Sequence, residues 1–516
     1  MPDPDMTLLH VCGRYLPLSE TFTYDLITGL KGFEHYVVAT GLENVQHFPL
    51  TTVVVPQPEE HAWALARQIN ARAVVCHFGP QAMLGMTTAL AIDRPAVTIF
   101  HGDDISRLLR DHVWVGRYRA VASLGMHALC ISHAGRQKLI DIGWPASQID
   151  VIHLGVDTDR FAFVPPAKRW PARPRRILMV ARLVEKKGVE VALDAMRRLR
   201  DRGCEAELRI VGDGPERTRI ESQMRQWQLT NVSLLGALEH SLTRHEFREA
   251  HLYIQPSVTA ESGDQEGIPV SLMEAMASGV PVVSTRHSGI PELVIDGQTG
   301  HLTGERDGEA LAVAIERLTR DRASAERFAQ AARARVEQEF DRRRQTTRFD
   351  AYFRVLVEDD SRRPSVSRSR YSTGRRRGLI IQSVPHGLMA RKLLLLRERY
   401  PDVQWEVLTT ESCASQVRQI PLVELVWTYA DGRLSLRQIG RTLLSELHDR
   451  NYDLVVAPYA DDFGSGFAHV RRAAAAIGGR RLIALTLGDR ERVLPPNAFR
   501  WHTKTAETPP RLSSTR

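Results

Sequence analysis

The sequence predicts an α/β protein, with two parallel-sheet units in tandem and a third, smaller one behind them, and three observations carry that prediction. Short β-branched runs alternate with helical periodicity from Thr7 to Ile152, as expected of stacked βαβ units. A Pro- and Arg-rich stretch, 164–176, interrupts the alternation, which then restarts. A Ser- and Arg-rich segment, 358–378, is too poor in apolar residues to pack and reads as a linker, after which the alternation begins a third time.

In chain order, the first unit has predicted strands at 8–12, 36–39, 52–55, 73–77, 96–100 and 128–131. The second has them at 177–180, 207–211, 232–235, 252–254 and 282–284, so two Rossmann-like domains in tandem fit the pattern. Helical periodicity then runs from Asp307 to about Val357, with a cap at Asp341. In the third unit, strands at 379–383, 403–408, 454–457 and 482–485 alternate with helices at 387–398, 436–447 and 468–477. The resulting partition is 1–168, 169–357, a linker 358–377, an accessory α/β domain 378–502 and a disordered tail 503–516.

At 516 residues and 43% hydrophobic content, the chain exceeds the roughly 250–300 residues at which single cores stop growing. No stretch approaches the roughly 20 apolar residues that span a bilayer. Pro2, Asp3, Pro4 and Asp5 stand where a secretory signal needs basic and then apolar residues, and the five cysteines lack metal or redox spacing. A cytoplasmic protein with reduced thiols is expected. The net charge of +8 favours phosphate-bearing partners without choosing among nucleotides, anionic lipid and nucleic acid.

The segment ESGDQEGIPVSLMEAMASGVPVV, 261–283, is the most informative. Pro269 suits the first turn of a helix, and Gly267 admits a ligand close to the backbone. The free N–H groups and positive dipole end of that helix make an anion site. Glu266 before the helix and Glu274 inside it place two carboxylates where they can each accept hydroxyl hydrogen bonds. A second constellation, VARLVEKKGVEVAL, 180–193, projects Arg182 and Lys187 from a strand-to-helix loop, with Lys186 as a substitute for Lys187. A guanidinium and an ammonium there suit a diphosphate whose charge grows as a glycosidic bond breaks. VGDGPER, 211–217, is a tight turn before a helix.

The Glu-x7-Glu pair resembles the signature of the retaining glycosyltransferases of family 4, which have the GT-B fold of two facing Rossmann-like domains. The stretch from Pro256 to Val294 is similar to the subgroup making exopolysaccharides such as colanic acid. The resemblance, from Leu8 to Phe349, implies a nucleotide-diphosphate sugar as donor, a saccharide or lipid-linked acceptor, and no cofactor or metal ion. It implies that Glu274 binds the ribose hydroxyls, Glu266 holds the donor sugar, and the backbone at Gly267, Ile268 and Val270 meets sugar and diphosphate. Arg182 and Lys187 become leaving-group stabilisers. Gly212 and Gly214 of the GDGP turn line the nucleotide cleft, and the backbone after Gly236 reads the base. HGDD, 101–104, resembles the family's His-Gly-x-Asp, so His101 reaches the donor sugar and Asp104 is the matching acid, or caps the next helix. GRYLPLSETF, 13–22, resembles an acceptor-side loop bearing Ser19 and Glu20, but lacks the paired glycines many relatives carry.

Two readings stay open from the residues alone. Trp114, Tyr118 and Val121 share a helical face in 105–122, with Arg107, Arg110, Arg117 and Arg119 nearby, which is either a peripheral contact with the inner membrane face or a core stripe. A non-catalytic GT-B scaffold, or an anionic-polymer module built on the Arg-rich linker, is the alternative to an enzyme, although stacking aromatics for nucleic acid are not evident there. Gly464-Ser465-Gly466 before a helix could form a phosphate nest in the third unit.

Overall fold

Strands of Val, Ile and Leu without polar alternation belong in sheets covered on both faces, and that is how the chain uses them. The computed structural model describes residues 3–494, apart from 18–20, 46–47, 49–52, 57–61, 172–173, 365–375, 421, 433, 460–466 and 487. The chain divides after Pro364 into two compact units.

The first unit contains two sheets. Strands β1 (Asp3–Tyr15), β2 (Phe33–Leu42), β3 (Val53–Pro56), β4 (Ala73–His77), β5 (Ala96–Phe100), β6 (His127–Cys130) and β7 (Ile149–Val151) form the first, in the order β3-β2-β1-β4-β5-β6-β7. Every pairing in it is parallel. Strands β8 (Arg175–Val180), β9 (Ala206–Val211), β10 (Val232–Gly236), β11 (Leu252–Gln255), β12 (Val282–Thr285) and β13 (His301–Thr303) form the second, ordered β10-β9-β8-β11-β12-β13 and again all parallel. In both, the order reverses beside the first strand, which opens a crevice at the carboxyl ends of the strands.

A continuous core joins these sheets through Leu8, Val97 and Ile131 on one side and Ile268, Leu272 and Met276 on the other. The helices Gly308–Arg320, Arg322–Glu339 and Arg342–Glu358 begin at Asp307, Asp321 and Asp341, each accepting a backbone N–H in its helix's first turn. The last of them returns to the first sheet, where Phe353 meets Phe33 edge-on at 6.3 Å and Arg354 lies over the same ring at 5.4 Å.

The second unit holds strands β14 (Arg376–Ile381), β15 (Val403–Thr410), β16 (Leu425–Tyr429), β17 (Leu454–Pro458), β18 (Arg481–Leu485) and β19 (Glu491–Leu494), ordered β16-β15-β14-β17-β18-β19. Only β19 runs antiparallel. Its core contains a buried Lys392–Asp489 ion pair, and a buried Glu406 that accepts from Trp427 Nε1 and Tyr452 Oη at 2.7 Å each.

Strands β7, β13, β16 and β19 are not among the predicted ones. The first two have three residues each, too few for a period to show, and the other two are partly exposed edges. The predicted helix 436–447 is two, Leu436–Ile439 and Arg441–Asp449, because Gly440 sits at φ 75° between them. The Gly464-Ser465-Gly466 nest, residue 52 of the predicted third strand and the tail from 503 lie outside the described residues. Among the described residues, no helix is long and apolar enough to cross a membrane.

Candidate active site

The second sheet presents its chemistry at the carboxyl ends of β8 and β11. After β8, the loop carrying Arg182 leads into a 3-10 turn, Glu185–Lys187, and then a helix, Val189–Asp201. Lys187 Nζ stands 2.9 Å from Glu266 Oε1, both side chains largely covered. Burial alone would raise the Glu266 carboxyl, but Lys187 and Lys186 outweigh it and hold the group below the usual range, so it stays ionised. Lys186 pairs instead with Asp264 at 3.0 Å. The Glu266 N–H donates to His287 Nε2 at 3.0 Å, which leaves His287 Nδ1–H to donate to Glu305 at 2.6 Å. That chain fixes the segment carrying Glu266 from behind.

The helix Val270–Ala277 starts one residue later than the sequence suggests. Pro269 is its extended N-cap, at φ −63° and ψ 124°, not a first-turn residue. Val270 opens the helix, and the Ile268 side chain belongs to the core, leaving only its backbone for a ligand. Glu274 lies one turn in, its carboxyl pushed up to about 7 by burial, against the opposing charges of Arg160 and Arg244.

The glycines of the GDGP turn fit against protein. A Cβ on Gly212 would stand 2.0 Å from the Ala181 carbonyl oxygen, and one on Gly214 2.4 Å from that of Leu183, so the turn packs under the Arg182 loop. Gly236 closes β10 and accepts from the Gly212 N–H at 2.8 Å.

Across from these residues, the first sheet brings up His101 at the end of β5. It is 8% exposed, its ring 4.6 Å from that of Phe22 and 4.4 Å from that of Phe78, and neither ring nitrogen has a partner among the described residues. Burial pushes it down to about 3, with His77 adding to the effect, so the imidazole is neutral. The two sheets meet here. A Cβ on Gly267 would lie 2.4 Å from the His101 carbonyl oxygen, so the glycine serves the contact between sheets as much as the approach of a ligand. Beside it, Gly13, Arg14, His77, Gln81, Arg182 and Asp213 line a cavity of ≈ 640 Å³.

Residues 20–160 match the family described as Glycosyltransferase Family 4, and residues 162–335 the one described as Glycosyl transferases group 1. WcaL of Escherichia coli, a glycosyltransferase named for colanic acid biosynthesis, is 40% identical over 289 residues, 54% of this chain and 68% of that one. The chain belongs to glycosyltransferase family 4. The amylovoran biosynthesis glycosyltransferase AmsK of Erwinia amylovora is also 40% identical, over 247 residues, 47% of this chain and 60% of its own. Anabaena HepE, solved with UDP and glucose, superposes with a TM-score of 0.57 at 20% identity over 68% of this chain and 99% of its own. The fold of the first unit is therefore GT-B.

Within this family 4 frame, one expectation needs correction. Asp104 faces no acceptor: it is 2% exposed and its carboxylate takes N–H groups from Gly102 at 2.8 Å, Gly79 at 3.0 Å and His101 at 3.1 Å. It ties down the loop that aims His101, while Asp111 caps the following helix, His112–Ser123. The aromatic stripe of that helix is core, with Tyr118 and Val121 fully buried and Arg117 lying 4.4 Å over Trp114. Arg107 pairs with Asp103, Arg110 donates to the Glu261 carbonyl and Arg119 to that of Ile142. Ser19 and Glu20 lie outside the described residues, although Gly13, Arg14 and Pro17 of the same loop line the cavity.

Four contributors went unassigned in the sequence, namely His287, Glu305, Lys138 and Glu292. Lys138 contacts the Gln265 side chain from the first sheet's side. Glu292 accepts the N–H groups of His133 and Ala134 at 2.9 Å each, and contacts His153 at 3.0 Å, latching the second sheet's loop to a helix start on the first. His133, His153 and Glu292 are the one group among the described residues with metal-ligand atoms within 4.8 Å of one another, and the carboxylate is already committed to that latch.

Proposed function

We propose that the protein transfers a sugar from a nucleotide-diphosphate sugar to a saccharide or lipid-linked acceptor, with retention of configuration, in exopolysaccharide biosynthesis. The observation that carries this reading is the Lys187–Glu266 ion pair, 2.9 Å long, where the two sheets meet beside His101, whose ring nitrogens have no partner among the described residues. In that reading, Glu266 and His101 hold the donor sugar, Glu274 the ribose, and the backbone at Gly267, Ile268 and Val270 the sugar and diphosphate. Arg182 and Lys187 take up charge on the departing diphosphate. The acceptor oxygen bonds to the anomeric carbon on the face from which the phosphate oxygen leaves, and that oxygen receives the acceptor's proton. WcaL and AmsK, both named for polysaccharide biosynthesis, support the pathway assignment, and HepE, solved with UDP, supports the donor class.

The test is nucleotide release from a panel of UDP-, GDP- and dTDP-sugars, with the anomeric coupling of the product read by NMR. Release from none would favour a non-catalytic scaffold, and an inverted product would overturn retention. Activity persists in excess EDTA, because Arg182 and Lys187 supply the positive charge; loss of activity that Mg²⁺ or Mn²⁺ restores would refute metal independence.

The second unit takes an accessory role in this proposal, in acceptor or partner binding. The cut that tests it belongs after Pro364, not near Asp360. Arg362 lies 5.5 Å over Tyr352 and 4.0 Å from Asp150, and Arg363 stands 3.6 Å from Asp93. A chain ending at Pro364 keeps donor release, and one ending at Asp360 melts a few degrees lower, as expected for about 1 kcal/mol of lost contacts. A chain ending at Pro364 that folds but releases no nucleotide would make the second unit part of the active site.

A further inference from the structure

Three histidines stand side by side on the neighbouring strands β2, β1 and β4. His35 Nε2 lies 2.9 Å from the Leu30 carbonyl oxygen, His35 Nδ1 2.9 Å from His10 Nε2, and His10 Nδ1 3.0 Å from His77 Nε2. Burial lowers all three, His10 well below the ordinary value and His77 to about 3, so each is a neutral ring with one N–H and one lone pair.

The direction of this chain is fixed at one end. A carbonyl only accepts, so the proton of His35 is on Nε2 and its Nδ1 is a lone pair. His10 must then donate from Nε2, which leaves its Nδ1 as an acceptor. His77 in turn donates from Nε2, and its Nδ1 carries a lone pair. That last nitrogen is buried without a partner among the described residues, in a side chain 1% exposed that lines the ≈ 640 Å³ cavity beside Arg182. A buried acceptor left unpaired is costly, and this one can be satisfied only by a group that brings its own hydrogen.

The geometry points to His77 Nδ1 as the hydrogen-bond acceptor for a hydroxyl of the acceptor saccharide, in a cavity shared with Arg14, Gln81, Arg182 and Asp213. The inference rests on the transferase reading, since it places the acceptor next to the cation that meets the leaving group. The polarity of the site follows from the chain of rings alone. A saccharide whose hydroxyl is replaced by a methoxy group loses the interaction, because the ether has no hydrogen to give.

The experiment uses full-length protein with ¹⁵N-labelled histidine, the His77 signals being assigned by their loss in His77→Phe. His77 is expected as the Nε2–H tautomer at pH 7, with its Nδ1 resonance moving upfield when octyl glucoside, galactoside or mannoside is added with UDP. An Nδ1–H tautomer, an imidazolium, or no movement with any of these glycosides would overturn the inference. In transfer assays with a glycoside that serves as acceptor, His77→Phe raises its KM about tenfold. His77→Asn, whose Oδ1 restores an acceptor at the same place, recovers most of that loss. An equal rise in both variants would reassign His77 to structure. If no donor releases nucleotide from the wild type, the transferase reading fails, while the tautomer and the glycoside shift still decide the role of His77.

Discussion

Lys187→Met lowers transfer about 10²–10³-fold, the loss typical of one preorganised charge-stabilising contact. Methionine keeps most of the apolar stem and removes only the ammonium, which stands 2.9 Å from Glu266 and beside the bond that breaks in the proposed reaction. The change also strands Glu266, because Lys187 is the largest of the influences that lower its carboxyl against burial. In the wild type this carboxyl lies below its unfolded value, so its contribution to stability is present at neutral pH and is lost on acidification. In the variant the largest of the lowering influences is gone, so the folded value rises and the stability otherwise gained as the pH climbs through the ordinary carboxylate range of about 4–5 is reduced. The gap in melting temperature between the two therefore widens from acid to neutral pH. Lys187→Met/Glu266→Gln closes that gap without restoring transfer. Single-turnover kinetics and calorimetry check both halves, and a single variant that keeps transfer within tenfold would remove Lys187 from the chemistry.

The residues in that prediction were legible because each lies inside a contiguous motif: Glu266 and Glu274 flank the start of one helix, and Arg182 and Lys187 share one loop. The parallel sheets were legible for a similar reason, since β4, β5, β11 and β12 are buried throughout and each opens on apolar residues without a strict polar–apolar alternation. What could not be read depends on strand order. His10, His35 and His77 are separated by 25 and 67 residues and become neighbours only because β1 lies between β2 and β4. The Glu292 latch spans 158 residues, and its signal, a glutamate after a proline, is common in loops. Asp104 was misread because a strand-end carboxylate looks the same in sequence whether it meets a ligand or three backbone N–H groups. The stripe of Trp114, Tyr118 and Val121 was ambiguous because a core face and a membrane face have the same periodicity.

Nucleotide binding weakens about tenfold for each pH unit below 7, because the group proposed to hold the ribose must first lose a proton. Glu274 sits one turn inside the helix Val270–Ala277, and burial pushes it up to about 7 in spite of Arg160 and Arg244. A carboxylate can accept from both ribose hydroxyls, whereas the protonated acid must present a donor to one of them. Titration calorimetry with UDP and GDP between pH 5.5 and 8.5, in buffers of different ionisation enthalpy, is expected to show one proton released on binding at the acid end. Glu274→Gln removes the release and the slope, and weakens binding at pH 8 by about 10–100-fold, as expected for hydrogen bonds to a charged group. The same burial acts in the opposite direction on stability. Between the ordinary carboxylate value and 7, the folded protein holds a proton that the unfolded chain has released, so stability falls as the pH rises through that window. Glu274→Gln should therefore melt above the wild type at pH 8 and level with it at pH 4, exchanging affinity for stability as a residue held for binding does. Binding independent of pH in the wild type, or a Gln variant no more stable at pH 8, would mean that Glu274 is ionised at no cost and is not tuned by its burial.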